Sequence, residues 1–532
     1  MNQIQGFLRK LYRGIDSERS KSLEKLLDRG EWALIQKETL RKPGTYKDAA
    51  EYFRDALCVE ITRKMLIPTD KDKCYQAAVA TFWETEAQCR ATNVRLSRFR
   101  DFQGPFEPQD LAICDFIGQW RRELAYVLGK APSRLTPRFS GGSTLSDQGK
   151  RVTIPDKLLS QPTVYTGSDQ TSLQRSLNGT PFFLKPLKEV RSNRFFTVPK
   201  DSSKDRGCCI EASLMVSLQL DAGKHIERRI EKVYKVNLAN GKPYHQWLAQ
   251  IASRHGTFST IDLSNASDTV AFGLVQLLLP SDWLSLLNSL RAGSTDLDGQ
   301  TVLLSKYSSM GNGFTFPLET LLFWTLGKVI GSRCITVFGD DIIVETEHHA
   351  AMVAALRYFG FTPNAKKTFC DGPFRESCGG DYFEGTLVRA HYLKEVPSEP
   401  QHWVSLANGL RRVDPDQTYT KAAWRYCVDQ VPVGWRNFCA DSSLGDFAFY
   451  DPAAKPQLRF FAWPEHRKMF GRRVGDLLPA WRGMTPITRT YDLFKHIPFE
   501  IAIIAASMGT AADVPLRDSV TGYRPGFIAA LS

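Results

Sequence analysis

The residues best suited to chemistry in this chain are acidic and fall in two short stretches. In CITVFGDDIIV, two β-rich runs, Ile335 to Phe338 and Ile342 to Val344, flank Gly339, Asp340 and Asp341. That pattern predicts a hairpin with the acidic pair displayed at its turn. Like charges side by side between apolar strands repel one another, and a bound divalent cation is the usual physical remedy. Taken alone, Gly-Asp-Asp is also a common turn sequence. In TIDLSNASDTV, a β-rich run from Thr257 ends at Asp262, and Asp268 follows six residues later. The spacing predicts a helix from about Asp268 to Leu279, with Ser267 as N-cap and Pro280 as its stop. There Asp268 would also favour the helix dipole. A strand-end Asp262 brought beside Asp340 would complete a set of hard oxygen ligands of the kind Mg²⁺ prefers. Two such ions about 3.5–4 Å apart can stabilise the attacking and the leaving oxygen of an in-line displacement.

Three further stretches carry groups that suit phosphate chemistry. KYSSMGNGFTFPLETLLFWTL places Gly311, Asn312 and Gly313 in a flexible loop ahead of an apolar run that reads as a buried helix. Glycines there permit close backbone approach to a template or sugar, although an ordinary loop explains the pattern equally well. YFGFTPNAKKTF sets Lys366 and Lys367 after a turn. One of them could neutralise or protonate a departing pyrophosphate, the other being a solvated loop lysine. FFTVPKDSSKDRGCCIEA gathers Lys200, Lys204 and Arg206 after an extended run. Such a cluster suits a nucleoside triphosphate, Arg through bidentate contact and Lys as a point charge, or else is a solvated loop.

Around these stretches the pattern is α+β. Residues 1 to about 130 read as mainly helical, and about 131 to 185 as irregular loops and short strands. Residues 251 to 395 read as short strands mixed with helices, the setting of the acidic stretches. After about 396, Trp424, Trp435, Trp463 and Trp481 lie among Arg425, Arg436, Arg472, Arg473 and Arg482, which predicts a separate, largely helical C-terminal subdomain. The apolar run Ile501 to Ala512 is shorter than the roughly 20 residues needed to span a bilayer and reads as a buried helix or strand. No membrane association is expected, and the charge-rich N-terminus lacks a secretory signal, so no export is expected either. Eleven Cys show no disulfide spacing and no CxxC pair, which fits a reducing cytosol. His348 and His349 read as surface residues. Sixty-nine Lys and Arg against 57 Asp and Glu give a net charge of +12, which makes an extended polyanion a natural partner.

With carboxylate strand, Gly-rich loop, GDD hairpin and Lys turn in this order, the chain resembles viral RNA-dependent RNA polymerases. It is most similar to the replicase β subunit of the levivirus RNA bacteriophages. The stretches that carry the resemblance are TVPKDSSKDR, TIDLSNASD, SSMGNGFTF, FGDDII, NAKKTF and GPFRESCG, across about 195 to 385. It implies a right-hand fold: an N-terminal helical region and fingers over 1–250, a palm with antiparallel sheet and helices over 251–395, with part of the fingers inserted near 270–305, and a thumb and C-terminal region over 396–532. It implies that Asp262, Asp340 and Asp341 bind two Mg²⁺ ions, with Mn²⁺ able to substitute, and that Asp268, with Ser267 as rival, recognises the ribose 2′-hydroxyl by which RNA differs from DNA. Lys200, Lys204 and Arg206 then line the triphosphate channel. Gly311, Asn312 and Thr315 support template and nucleotide, and Lys366 or Lys367 is the acid. Implied partners are template and product RNA, NTPs, the host elongation factors Tu and Ts and a small-subunit ribosomal protein, in the bacterial cytoplasm. The chain departs from the broader pattern at Glu319, where an Asn is usual, and at Pro317, where an irregular helix start is expected.

Two other readings compete. A reverse transcriptase would share the carboxylates, but a DNA maker usually blocks the ribose hydroxyl with a bulky residue where this chain has Asp268. A non-enzymatic RNA-binding virion or packaging protein would use the basic, aromatic C-terminal part for stacking and leaves the ordered carboxylates unexplained.

Overall fold

The acidic hairpin forms as its alternation demands. Thr336–Phe338 and Asp341–Glu345 pair antiparallel with Phe338 opposite Asp341, so Gly339 and Asp340 are the whole two-residue turn. Gly339 takes the first turn position at φ +64, the conformation that glycine reaches without strain in a hairpin of this length. A side chain there would also meet the Phe316 ring, 2.3 Å from an added Cβ. Ile342, Ile343 and Val344 are fully buried. The outer strand Phe258–Ile261 adds to Asp341–Glu345 antiparallel, with Ile261 opposite Ile342.

These strands belong to a computed structural model describing residues 2–66, 70–101, 104–149, 152–178, 185–442 and 445–462, with strands at 475–486, 490–492, 513–515 and 523–529. The chain divides into two units. One, residues 70–387 with 492–514, holds every candidate site residue. Besides the three-stranded sheet it contains a four-stranded sheet in the order Asp205–Ile210, Asn193–Pro199, Ser294–Leu297, Gln300–Leu303. It also contains the long helices Lys71–Arg100, Pro108–Leu128, Ser213–Tyr234 and Gly241–His255. The helix Thr315–Ile330 is apolar on nearly every face and is buried on nearly every face, as such a sequence requires. Pro317 stands in its first turn, where the missing N–H would have had no helical partner, so the irregular start expected there does not occur.

In the other unit, residues 1–69, 388–491 and 515–532, the helix Asn2–Ile15 buries Ile4, Phe7, Leu8, Leu11 and Ile15. It packs closely on the segment that includes Tyr419 and Tyr426. A Cβ on Gly14 would lie 2.3 Å from the Tyr419 carbonyl oxygen. The described C-terminal part is less helical than expected. After the helices Pro400–Val413 and Lys421–Asp429 it turns to strands, with Gln457–Ala462, Gly475–Pro486 and Tyr523–Ala529 forming an antiparallel sheet. Aromatic residues favour a pleated, half-buried surface, and Trp481 is buried there. Trp463, Arg472, Arg473 and the run Ile501 to Ala512 lie outside the described residues.

The helix expected from Asp268 to Leu279 is in fact two pieces, Ala266–Thr269 and Phe272–Leu278, and the residue before the first is Asn265 in a left-handed conformation rather than Ser267. Val270 and Ala271 are extended because the neighbouring chain 305–307 takes their hydrogen bonds. Tyr307 N donates to Val270 O at 2.7 Å, and Phe272 N donates to Ser305 O at 3.0 Å. Long-range backbone pairing here outweighs local helix propensity.

Candidate active site

Carried one residue beyond the Ile261–Ile342 pair, the strand register sets Asp262 opposite Asp341, with Asp340 at the adjoining turn. The acidic residues, distant in sequence, therefore meet at one end of the sheet. Their charges feel one another. Burial first, then the charges of Asp341 and Asp262, push the Asp340 carboxyl from 3.8 up to about 6. Asp262 is raised as well, by burial above all and by Asp341, with Lys367 and Asn364 pulling the other way.

Asp262 and Asp341 have protein partners of their own. Asn364 Nδ2 donates to Asp262 Oδ2 at 3.0 Å, and Asn364 N donates to the Asp262 carbonyl at 2.8 Å. Asp341 Oδ1 accepts from Ser377 Oγ at 3.3 Å and from Cys378 N at 3.2 Å. Ser377 is itself held by His245, a buried imidazole 3.0 Å from Ser377 Oγ and 3.1 Å from Thr336 Oγ1. Burial takes the His245 pKa down to about 3, so the ring is neutral and serves as a hydrogen-bonding strut. Among the described residues no three His, Cys, Asp or Glu side chains converge closely enough to hold an ion as they stand. The donor chemistry nonetheless fits a divalent cation. These are hard oxygens whose mutual repulsion a cation relieves, and rotation of Asp262 away from Asn364 and of Asp341 away from Ser377 would free oxygens for it.

The two lysines of the turn behave differently. Lys367 Nζ lies 3.5 Å from Asp262 Oδ2 and 3.5 Å from Glu376 Oε2. Burial alone would lower its pKa, but Glu376, Asp262 and Asp341 outweigh that and raise it. Lys366 is exposed, and its backbone N–H merely closes the turn onto Asn364 Oδ1 at 3.1 Å. Glu376 itself was not singled out from the sequence. It lies on the strand Phe374–Ser377, and burial, reinforced by Asp381, Asp341 and Asp262 against the pull of Lys367, lifts it to about 7. Its neighbour Arg375 is fully buried. The Arg375 guanidinium donates to the carbonyls of Phe258, Cys370, Asp371, Gly372 and Phe374, so it staples the strand carrying Glu376 to the strand Phe258–Ile261 that leads into Asp262. The charged pair in GPFRESCG was the available signal, but only the fold gives either residue a role.

Lys200 and Lys204 bracket the loop between Asn193–Pro199 and Asp205–Ile210, and Arg206 stands on the return strand opposite Val198. Asp201 Oδ1 accepts from Ser203 N, Ser203 Oγ and Lys204 N, an Asx turn that shapes the tip. Partial desolvation lowers the Lys200 pKa, and Lys204, Arg206 and Lys367 add to the effect. The basic hairpin and the lysine beside the carboxylates therefore contribute to one positive field.

Gly311, Asn312 and Gly313 form a constrained turn rather than a flexible loop. Gly311 has φ +116, and a Cβ there would lie 2.2 Å from the Cys209 carbonyl oxygen. Gly313 N donates to Gln219 Oε1 at 3.0 Å, and Asn312 Oδ1 accepts from Phe314 N at 2.9 Å. The close approach is thus to the protein's own backbone. Thr315 is buried and donates to Ser308 Oγ at 2.7 Å. Glu319 is buried in the same helix. Burial, then the charges of Asp340 and Asp268, push its carboxyl well above the usual range, with Ser267 offsetting this in part. Burial therefore favours the neutral form of Glu319. Asp268 pairs with Lys306, Nζ to Oδ1 at 2.8 Å.

A sheet end with clustered carboxylates, a lysine bridging two of them and a basic hairpin contributing to the same field is equipped to handle divalent cations and phosphate anions together. A family model described as RNA replicase, beta-chain, matches residues 32–419, and the chain belongs to that family. Among curated relatives, the RNA-directed RNA polymerase subunit beta of Enterobacteria phage SP is 36% identical over 60% of this chain and 56% of its own length. That of Escherichia virus Qbeta is 34% identical over 63% of this chain and 58% of its own. The RNA-directed RNA polymerase beta chain of Escherichia phage MS2 is 40% identical over 42% of this chain and 41% of its own. The match thus spans a little over half the length of the first two. Among the described residues no helix is long and apolar enough to cross a membrane.

Proposed function

We propose that the chain is the catalytic subunit of an RNA-directed RNA polymerase that replicates a single-stranded RNA phage genome in the host bacterial cytoplasm. The observation that carries this reading is the strand register, which sets Asp262 across from Asp341 with Asp340 at the adjoining turn. In this reading residues 251–395 are the palm, the basic hairpin of Lys200, Lys204 and Arg206 belongs to the fingers, and the thumb follows 396.

Asp262, Asp340 and Asp341 would hold two Mg²⁺ ions, which when bound supply electrostatic stabilisation to the attacking and leaving oxygens of an in-line displacement. The protein's own groups do the rest. Lys200, Lys204 and Arg206 draw in the NTP triphosphate, and the strand-end carboxylates, as hydrogen-bond acceptors, orient the 3′-hydroxyl and take its proton as its oxygen bonds to the α-phosphorus and pyrophosphate leaves. Lys367, held charged by Asp262 and Glu376, donates a proton to the departing pyrophosphate. Lys366 remains a solvated loop residue. Asp268 reads the ribose 2′-hydroxyl, while Gly311, Asn312 and Thr315 hold the backbone that supports template and nucleotide. By family analogy the working enzyme also contains host elongation factors Tu and Ts and a small-subunit ribosomal protein.

The test is co-purification of the tagged chain from bacterial cells, followed by Mg²⁺-dependent RNA synthesis on the recovered complex. Asp340→Asn should abolish nucleotide incorporation while RNA binding stays largely intact, because basic side chains supply most phosphate contacts. Undiminished synthesis by that variant would defeat the assignment, and a preference for dNTPs would turn it toward a reverse transcriptase.

A further inference from the structure

Lys306 lies in none of the groups discussed as reacting, yet it is among the most tightly held charges in the unit that carries the site. Its side chain is 2% exposed, with Nζ 2.8 Å from Asp268 Oδ1, 3.8 Å from Glu86 Oε1 and 4.5 Å from the Phe82 ring centroid. A buried ammonium is costly unless paired. Burial lowers its pKa, but Asp268, Cys209 and Glu86 together reverse the balance and raise it, so the group is a standing positive charge beneath the Asp268 carboxylate.

The backbone on both sides of this pair is fixed. Glu86 Oε2 accepts from Ser305 N at 2.6 Å, and the Lys306 backbone bridges to Ala271. The same bridge interrupts the helix after Thr269, so the segment that breaks the helix also delivers the lysine. The Cys89 thiol donates to the Asp268 carbonyl at 3.4 Å. Asp268 and Lys306 share the wall of a cleft with Gly207, Cys208, Ser309 and Met310, next to the strand that begins with the basic hairpin. The Asp268 side chain keeps 21% of its surface exposed, against 2% for the lysine, so the carboxylate is the member of the pair that a ligand in the cleft can reach.

We propose that Lys306 is a positioning residue for sugar specificity: by holding Oδ1 it fixes the Asp268 carboxylate so that Oδ2 accepts the 2′-hydroxyl of the incoming ribonucleotide. The inference rests on the polymerase reading above. A site built to hydrogen-bond a hydroxyl discriminates strongly against the analogue that lacks it, and the discrimination depends on the acceptor staying in place.

The experiment measures single-nucleotide incorporation of an NTP and its 2′-deoxy counterpart by the recovered complex, for wild type, Lys306→Met, Asp268→Asn and the double variant. Lys306→Met should raise KM for the NTP and lower the NTP-to-dNTP ratio of kcat/KM by about 10-fold or more, with dNTP use falling less than NTP use. Because the single variant strands a buried carboxylate and could fail to fold, the double variant provides an independent arm. It replaces the Asp268–Lys306 pair by neutral groups, leaving Glu86 its hydrogen bond from Ser305 N, and its ratio should equal that of Asp268→Asn alone, as expected when two residues act as one unit. An unchanged ratio in Lys306→Met, equal losses on both substrates, or an additive loss in the double variant would overturn the assignment. A wild-type complex that makes no RNA would bring down the polymerase reading and this inference together, whereas an active wild type with any of the preceding results sinks the inference alone.

Discussion

Asp340 is held at a cost that its replacement should recover. Its carboxyl is raised from 3.8 to about 6, by burial first and by Asp341 and Asp262 after it. At 1.36 kcal/mol for each pKa unit, ionising it in the folded chain costs about 3 kcal/mol more than in the unfolded chain. The sign follows from proton counting. Between pH 4 and pH 6 the folded state binds more protons than the unfolded state, so stability falls as pH rises through that window, and the full cost is present above it. Asp340→Asn keeps the shape and removes the charge. In EDTA at pH 7.5 it should therefore be more stable than wild type, by about 1–3 kcal/mol or a few degrees in Tm. The gap should close as pH falls toward 4, where wild-type Asp340 is protonated too. Adding millimolar Mg²⁺ should narrow the gap from the other side, because a cation that binds only the folded state stabilises wild type and finds one fewer ligand in the variant. Chemical denaturation followed by tryptophan fluorescence, over a pH series with and without Mg²⁺, reads all three effects. An Asp340→Asn protein equal to or less stable than wild type in EDTA at pH 7.5 would refute the reasoning, since the repulsion it relies on would not exist.

Three further outcomes are expected. Lys367→Ala should slow incorporation by about 100-fold or more and flatten the alkaline limb of the pH–rate profile, while Lys366→Ala stays within about three-fold of wild type; equal effects would mean the two lysines share the role. Arg375→Gln leaves several of the five carbonyl oxygens on Arg375 without a donor and should cost about 3 kcal/mol or more, seen as a lowered denaturation midpoint and faster proteolysis, and a midpoint within error of wild type would contradict it. Gly311→Ala must place a Cβ against the Cys209 carbonyl at positive φ and should reduce both stability and synthesis by lifting the turn off that strand. Wild-type behaviour there would mean that the backbone relaxes at no cost.

Much of the carboxylate-bearing end of the sheet could be read from the chain alone, because its signals are local. The alternation in TVFGDDIIV and the glycine at its turn require a hairpin, and that hairpin forms with Asp340 at the turn. An apolar run without a polar face has to be buried, and Thr315–Ile330 is. Other features depended on groups that meet only in the folded molecule. The helix from Asp268 breaks because chain 305–307 takes its backbone hydrogen bonds, a competition that no window around residue 270 contains. Which of Lys366 and Lys367 faces the carboxylates follows from the turn closed by Asn364, and Glu376 joins them only because Arg375 ties its strand to Phe258. Lys306 looks like any loop lysine until Asp268 and Glu86 are placed beside it. Local pattern determines which elements form and which face they bury, since those depend on neighbours a few residues away. Ion pairs, raised carboxyls and strand registers depend on distances across hundreds of residues, and only tertiary packing sets those.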